Sequence, residues 1–134
     1  MGGALSEPRK VLIVDDEPNI LMALEFLFKR SGYEVRLARD GGEALREADA
    51  WRPDVMLLDI MMPVKNGYEV CQTVRERPEL AGVRIVMLSA KGSEAEINKG
   101  LSLGADRYVT KPFSTQELLA TIDRLFEPGD AGKP

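Results

Sequence analysis

The sequence has no histidine and only one cysteine, Cys71. The first absence rules out Ser-His-Asp and Cys-His catalysis, histidine-ligated zinc and any histidine-borne relay within this chain. Whatever chemistry it performs therefore rests on carboxylates, hydroxyls and lysines. A lone cysteine allows no intramolecular disulfide, which fits a reducing compartment, and Cys71 reads as core filling. Long apolar runs are also missing. No segment approaches the roughly 20 apolar residues of a membrane span, and MGGALSEPRK at the start holds no stretch of signal-peptide length, so a cytoplasmic protein is expected. Nor is there a basic excess. With 18 Lys and Arg against 22 Asp and Glu, a net charge of -4 and a pI near 5.0, the composition argues against a general nucleic-acid or anionic-membrane binder. No internal repeat and no low-complexity block is found.

What the sequence does have is a regular alternation. At 134 residues and 44% hydrophobic it fits one domain, expected over 9–127 between flexible ends at 1–8 and 128–134. KVLIV (10–14), EVRLA (34–38), DVMLL (54–58), RIVML (84–88) and RYVT (107–110) read as strands, rich in Val, Ile and Leu and without the alternation of a half-exposed sheet. Between them lie helical patterns. Pro18 to Ser31 carries Ile20, Ala23, Leu24 and Leu27 at helical spacing and is followed by Gly32, a C-terminal stop. Leu118, Leu119, Ile122, Leu125 and Phe126 give the last helix a broad apolar face. Four helix starts repeat one device, a capping side chain three residues before a glutamate: Asp40 with Glu43, Asn66 with Glu69, Ser93 with Glu96 and Ser114 with Glu117. Repeated βα units predict a doubly wound α/β fold of five parallel strands and five helices, with helices on both faces of the sheet.

In such a sheet the C-terminal strand ends share one edge, where ligands bind. Those ends carry Asp15 and Asp16, Asp59, Ser89 and Lys111. Each has a plain structural use: Asp16 as a cap for the helix opening at Pro18, Asp59 in the turn toward Pro63, Ser89 as a turn cap, Lys111 as a solvated charge. Five such residues on one edge are harder to explain that way. Two like charges about 4 Å apart cost roughly 4 kcal/mol at an effective dielectric of 20, against a whole-domain stability of about 5–15 kcal/mol. Three clustered acids need protonation or cations, and one lysine cannot neutralise them all. An oxygen-rich, histidine-free site suits Mg²⁺; calcium stays open, though DDEPN lacks the twelve-residue calcium loop.

The motifs VLIVDDEP, DVMLLDIMMPVKNGYEV, IVMLSA and GADRYVTKPF, in this order, make the chain resemble the receiver domains of two-component response regulators over about Lys10 to Phe126. The resemblance implies the flavodoxin-like (βα)5 fold with strand order 2-1-3-4-5. It also implies that Asp59 is the phosphoacceptor and Asp16 a direct Mg²⁺ ligand, with Mn²⁺ an alternative ion. Asp15 would act mainly through a water on the metal, and the main-chain carbonyl of Met61 would complete the protein's share. Ser89 is similar to the switch hydroxyl, Tyr108 to the switch aromatic and Lys111 to the lysine that contacts the phosphoryl group. Pro63 and Gly67 match the turn after the acceptor, and Pro112 the proline preceded by a cis peptide bond. The implied partners are a sensor histidine kinase or histidine phosphotransfer protein as donor, and a downstream effector or output domain. Phosphorylation would switch the face formed by the fourth helix, last strand and last helix. The resemblance implies a signalling switch rather than an enzyme, monomeric or weakly dimeric on phosphorylation. Arg107 stands where the transcription-factor branch commonly has an acid that joins intersubunit salt bridges, so Arg107 and Asp123 depart from that dimer's pattern. No DNA-binding module follows Phe126, which fits a stand-alone or an excised receiver.

Two other readings fit less well. Phosphohydrolases with an aspartate nucleophile usually place a second aspartate two residues later as general acid, and here that position is Met61. An FMN-binding flavodoxin needs a loop of Gly, Ser and Thr donors, whereas DDEPN is acidic.

Overall fold

The apolar runs form five parallel strands, β1 (Lys10–Val14), β2 (Glu34–Ala38), β3 (Val55–Asp59), β4 (Arg84–Ser89) and β5 (Arg107–Thr110). They alternate with α1 (Pro18–Arg30), α2 (Gly41–Trp51), α3 (Gly67–Arg75), α4 (Glu94–Ser102) and α5 (Thr115–Arg124). The computed structural model describes residues 8–127, so the terminal segments expected to be flexible fall outside the described residues except for Pro8. The strand order is β2-β1-β3-β4-β5, the doubly wound order 2-1-3-4-5. Every neighbouring pair is parallel.

Residues of the central strands point alternately to two cores. Val11, Ile13, Val55, Leu57, Val86 and Leu88 pack against α1 and α5, while Leu12, Val14, Met56, Leu58, Ile85 and Met87 face the α2 and α3 side. Burying each of these side chains fully contributes about 1.5–3 kcal/mol, which is why β1, β3 and β4 are apolar on both faces. The edge strands differ from the sequence reading. β2 alternates exposed Glu34 and Arg36 with more buried neighbours, its successive side chains pointing to opposite faces of the sheet, and Arg36 reaches Glu47 of α2 at 3.0 Å.

Four helix starts carry the predicted cap: Asp40, Asn66, Ser93 and Ser114 each accept the backbone N–H three residues on. The reciprocal glutamate contact to the cap residue closes at Asn66–Glu69. α1 ends one residue earlier than predicted, with Ser31 as its cap and Gly32 at φ +93°. Its buried face is also rotated. Leu21, Leu24 and Phe28 are buried, while Ala23 is exposed, since the larger side chains take the core. β3 begins at Val55, one residue after the predicted start, and Asp54 just before it bonds its main chain to Lys10 and Arg84 while its carboxylate accepts the Lys10 N–H at 2.7 Å. It runs one residue further, through Asp59, which pairs with Leu88. A 3-10 turn at Pro78–Leu80, which the sequence reading missed, precedes β4.

Candidate functional site

The sheet's carboxyl edge collects the polar residues. Asp15 follows β1, Asp59 ends β3, Ser89 ends β4 and Lys111 follows β5. Asp15 (0%), Asp59 (4%) and Ser89 (0%) are buried, whereas Asp16 faces solvent. One carboxylate oxygen from each of Asp15, Asp16 and Asp59 lies within 4.8 Å of the others. The Lys111 ammonium donates to Asp15 Oδ2 at 3.2 Å and to Asp59 Oδ1 at 3.3 Å. Its backbone N–H donates to the Ser89 carbonyl at 2.7 Å, tying β5's exit to β4's end. The Lys111–Pro112 peptide bond is cis.

The electrostatics follow from this crowding. Burial, then the Asp15 charge, pushes the Asp59 carboxyl up to about 6, with Asp16 adding to the rise and Lys111 opposing it. Burial works against the Lys111 charge, but Asp59 and Asp15 outweigh it and hold the ammonium above its ordinary range. One lysine shared between two carboxylates leaves net negative charge among three acids. An all-oxygen donor set of this kind fits a hard divalent cation such as Mg²⁺.

Asp16 is not a helix cap. The N-cap of α1 is Glu17, which makes no side-chain cap bond, and Pro18 at the first turn has no N–H to satisfy. The turn is closed instead by Asp15, whose Oδ1 accepts the Glu17 N–H at 2.9 Å. Asp16 is thereby left with its carboxylate at the cluster's outer rim.

The loop from β3 to α3 is fixed from below. Ile60 N–H donates to the Leu88 carbonyl, and the N–H groups of Met62 and Gly67 donate to the Ile60 carbonyl. A Cβ on Gly67 would sit 2.7 Å from the Asp59 carbonyl oxygen, so only glycine lets α3 start this close to β3. Met61 carries its side chain outward, 56% exposed. Pro63 opens the following turn, with the Lys65 N–H donating to its carbonyl. Val64 then adopts φ +71°, a conformation that a β-branched residue rarely takes.

The hydroxyl partners stand beside the acids. Ser89 Oγ accepts the Lys91 N–H at 3.0 Å, and the half-buried Tyr108 donates its hydroxyl proton to the Lys91 carbonyl at 2.6 Å. Both groups thus converge on Lys91, a residue the sequence reading did not single out. Tyr68 was missed too, and Glu96 was read only as the partner of the Ser93 cap, though the Tyr68 hydroxyl donates to Glu96 Oε1 at 2.7 Å. An open cleft of ≈ 570 Å³ beside the cluster is bordered by Asp16, Met61, Tyr68, Lys91, Glu96 and Lys99. No spacing rule links positions 68, 91 and 96; the one sequence signal was an aromatic directly after the helix-opening glycine.

Comparison with known proteins agrees with the geometry. The family model for the response regulator receiver domain matches residues 11–123. Among solved structures, the chemotaxis protein CheY4 of Vibrio cholerae is 36% identical with a TM-score of 0.84, covering 89% of this chain and 99% of that one. A receiver domain of a Francisella response regulator is 33% identical with a TM-score of 0.82, at 87% and 95% coverage. The receiver domain of a signal transduction histidine kinase from Syntrophus aciditrophicus is 30% identical with a TM-score of 0.81, at 87% and 89% coverage. Fold, strand order and family model agree: this chain belongs to the response regulator receiver domain family of two-component signalling.

Proposed function

We propose that the chain is a phosphorylation-dependent switch whose acceptor is Asp59. The observation that supports this most is the Lys111 ammonium standing 3.2 and 3.3 Å from the Asp15 and Asp59 carboxylates at one sheet edge. An Asp59 oxygen attacks the phosphorus of a phosphohistidine on a sensor histidine kinase or histidine phosphotransfer protein. The P–O bond forms as the P–N bond breaks, and the imidazole leaves with the electron pair. Lys111 holds a transferred oxygen and keeps the acceptor carboxylate oriented. Asp15, Asp16, Asp59 and the Met61 carbonyl are the groups that would hold Mg²⁺, or Mn²⁺ in its place. When bound, the ion offsets the negative charge spread over the transferred oxygens.

The new phosphoryl group presents acceptor oxygens to the Ser89 hydroxyl. Drawing Ser89 inward vacates space that Tyr108 fills by turning, and the α4–β5–α5 face changes for a downstream effector or an attached output domain. The chain is a messenger rather than a turnover enzyme: Met61 occupies the place where an aspartate-nucleophile hydrolase puts its general acid. It acts in the cytoplasm, without direct nucleic-acid or membrane binding. No helix among the described residues is long and apolar enough to cross a membrane. The protein works as a monomer or a weak, phosphorylation-linked homodimer. Asp123 accepts the Tyr33 hydroxyl at 2.6 Å within the chain.

Acetyl phosphate with Mg²⁺ should add one phosphoryl group to the wild type and leave Asp59→Asn largely unlabelled. Equal labelling of the variant at another residue would overturn the assignment.

A further inference from the structure

α4 is weakly built into the domain. Of its residues Glu94–Ser102, Gly100 alone is buried. Its other attachments converge on two tyrosines from different elements. The Tyr68 hydroxyl, on α3, donates to the Glu96 carboxylate at 2.7 Å, with the Glu96 main-chain oxygen 3.2 Å away. The Lys99 ammonium lies 4.4 Å from the Tyr68 ring centre. On the sheet side, a Cβ at Gly100 would come within 2.7 Å of the Met87 sulfur and 3.0 Å of the Tyr108 ring, so the helix backbone rests on both. Burial, with Glu96 and the neighbouring Tyr108 adding to it, keeps the Tyr68 phenol well above its ordinary range and therefore a proton donor. Tyr68, on α3, is itself buried in the core on the α2 and α3 side of the sheet and has little freedom to follow α4.

Taking Tyr108 as the responder to Asp59 phosphorylation, we propose that Tyr68 is a positioning residue of the switch, latching α4 in its resting place through Glu96. When the Tyr108 ring turns inward, its hydroxyl leaves the Lys91 carbonyl and Gly100 loses the ring from beneath it, keeping the Met87 sulfur. α4 can follow only if Glu96 moves off the Tyr68 hydroxyl. The latch thus opposes the switched arrangement, and its loss favours that arrangement.

Tyr68→Phe removes the hydroxyl and keeps the ring. Hydrogen exchange of the α4 amides should quicken about five- to thirtyfold, the range expected for losing one part-buried hydrogen bond, with α3 and the sheet unchanged. Glu96→Ala should reproduce this from the other side of the bond, the double variant should add nothing further, and Glu96→Gln, which keeps an acceptor, should stay near wild type. The initial rate of Asp59 labelling by acetyl phosphate should rise several-fold in Tyr68→Phe. Unchanged α4 exchange in both single variants would overturn the latch while the phosphoacceptor reading stands on wild-type labelling. Quickened exchange with an unchanged labelling rate would overturn its coupling to the switch. Absence of labelling in the wild type would overturn the functional reading and the switch role of Tyr68 together.

Discussion

α3 and α4 are of equal length and flank the same acidic edge, yet they are held in opposite ways. α3 buries Gly67, Tyr68, Val70, Cys71 and Val74, opens with a reciprocal capping box and presses its first residue onto the Asp59 backbone. At its other end Arg75 donates to the carbonyls of Gly104 and Val83 and to the Asp106 carboxylate, which also accepts the Ile85 N–H. α4 buries one glycine and rests on tyrosine rings. The difference separates a fixed floor, which sets the geometry around Asp59, from a part whose displacement disturbs few contacts. The proposed switch needs both: the acids must not move when the outer face does.

Substituting the two buried glycines breaks this comparison most sharply. In Gly67→Ala the new methyl meets backbone at 2.7 and 2.8 Å that cannot yield, and urea denaturation should show a loss of about 3 kcal/mol. In Gly100→Ala the new methyl meets the Met87 sulfur and the Tyr108 ring, both able to shift. The helix also gains about 1 kcal/mol of propensity, so the net change should stay within about 1 kcal/mol. Equal losses in the two variants would mean that α4 is as fixed as α3. Next in size, Arg75→Ala should cost roughly 2 to 3 kcal/mol by stranding several acceptors, while Lys99→Ala, which loses a solvent-facing contact to a ring, should cost about 0.5 kcal/mol.

The fixed floor also carries the strain of crowded acids. Asp59 titrates at about 6 in the folded protein against an ordinary 3.8, so between those values the folded state holds a proton that the unfolded chain has released. Stability from this group is therefore lost as pH rises from about 4 to 6, and the loss is complete above that window. In metal-free buffer at pH 7.5, Asp59→Asn should be more stable than wild type by on the order of 2 kcal/mol, with the gap closing by pH 4. Added Mg²⁺ should raise the wild-type Tm and narrow the difference. A gain is expected in the loop that joins floor to edge: Val64→Asn places a residue tolerant of positive φ at +71° and should stabilise by about 1 kcal/mol.

These features were unevenly legible in the sequence. The central strands announced themselves because burial on both faces demands unbroken Val, Ile and Leu, and the site followed because strand ends in a parallel sheet share an edge. β2 was grouped with the strands that lack the alternation of a half-exposed sheet, although Glu34 and Arg36 alternate with Val35 and Leu37 in it. On α1, apolar residues fit more than one helical phase, and the choice between Ala23 and Phe28 was settled by which the core could hold. Val64 gave no sign at all, because a β-branched side chain argues against the conformation it adopts. The Tyr68–Glu96 bond spans 28 positions and depends on how α3 and α4 pack, which no local pattern encodes.

The most direct test is hydrogen exchange of the wild type with and without acetyl phosphate and Mg²⁺, under conditions where mass spectrometry finds one phosphoryl group on Asp59. Protection should change across Glu94–Ser102 and β5 while α3 from Gly67 to Arg75 keeps its rate. A change of equal size in α3, or none in α4, would contradict the division into a fixed floor and a moving face.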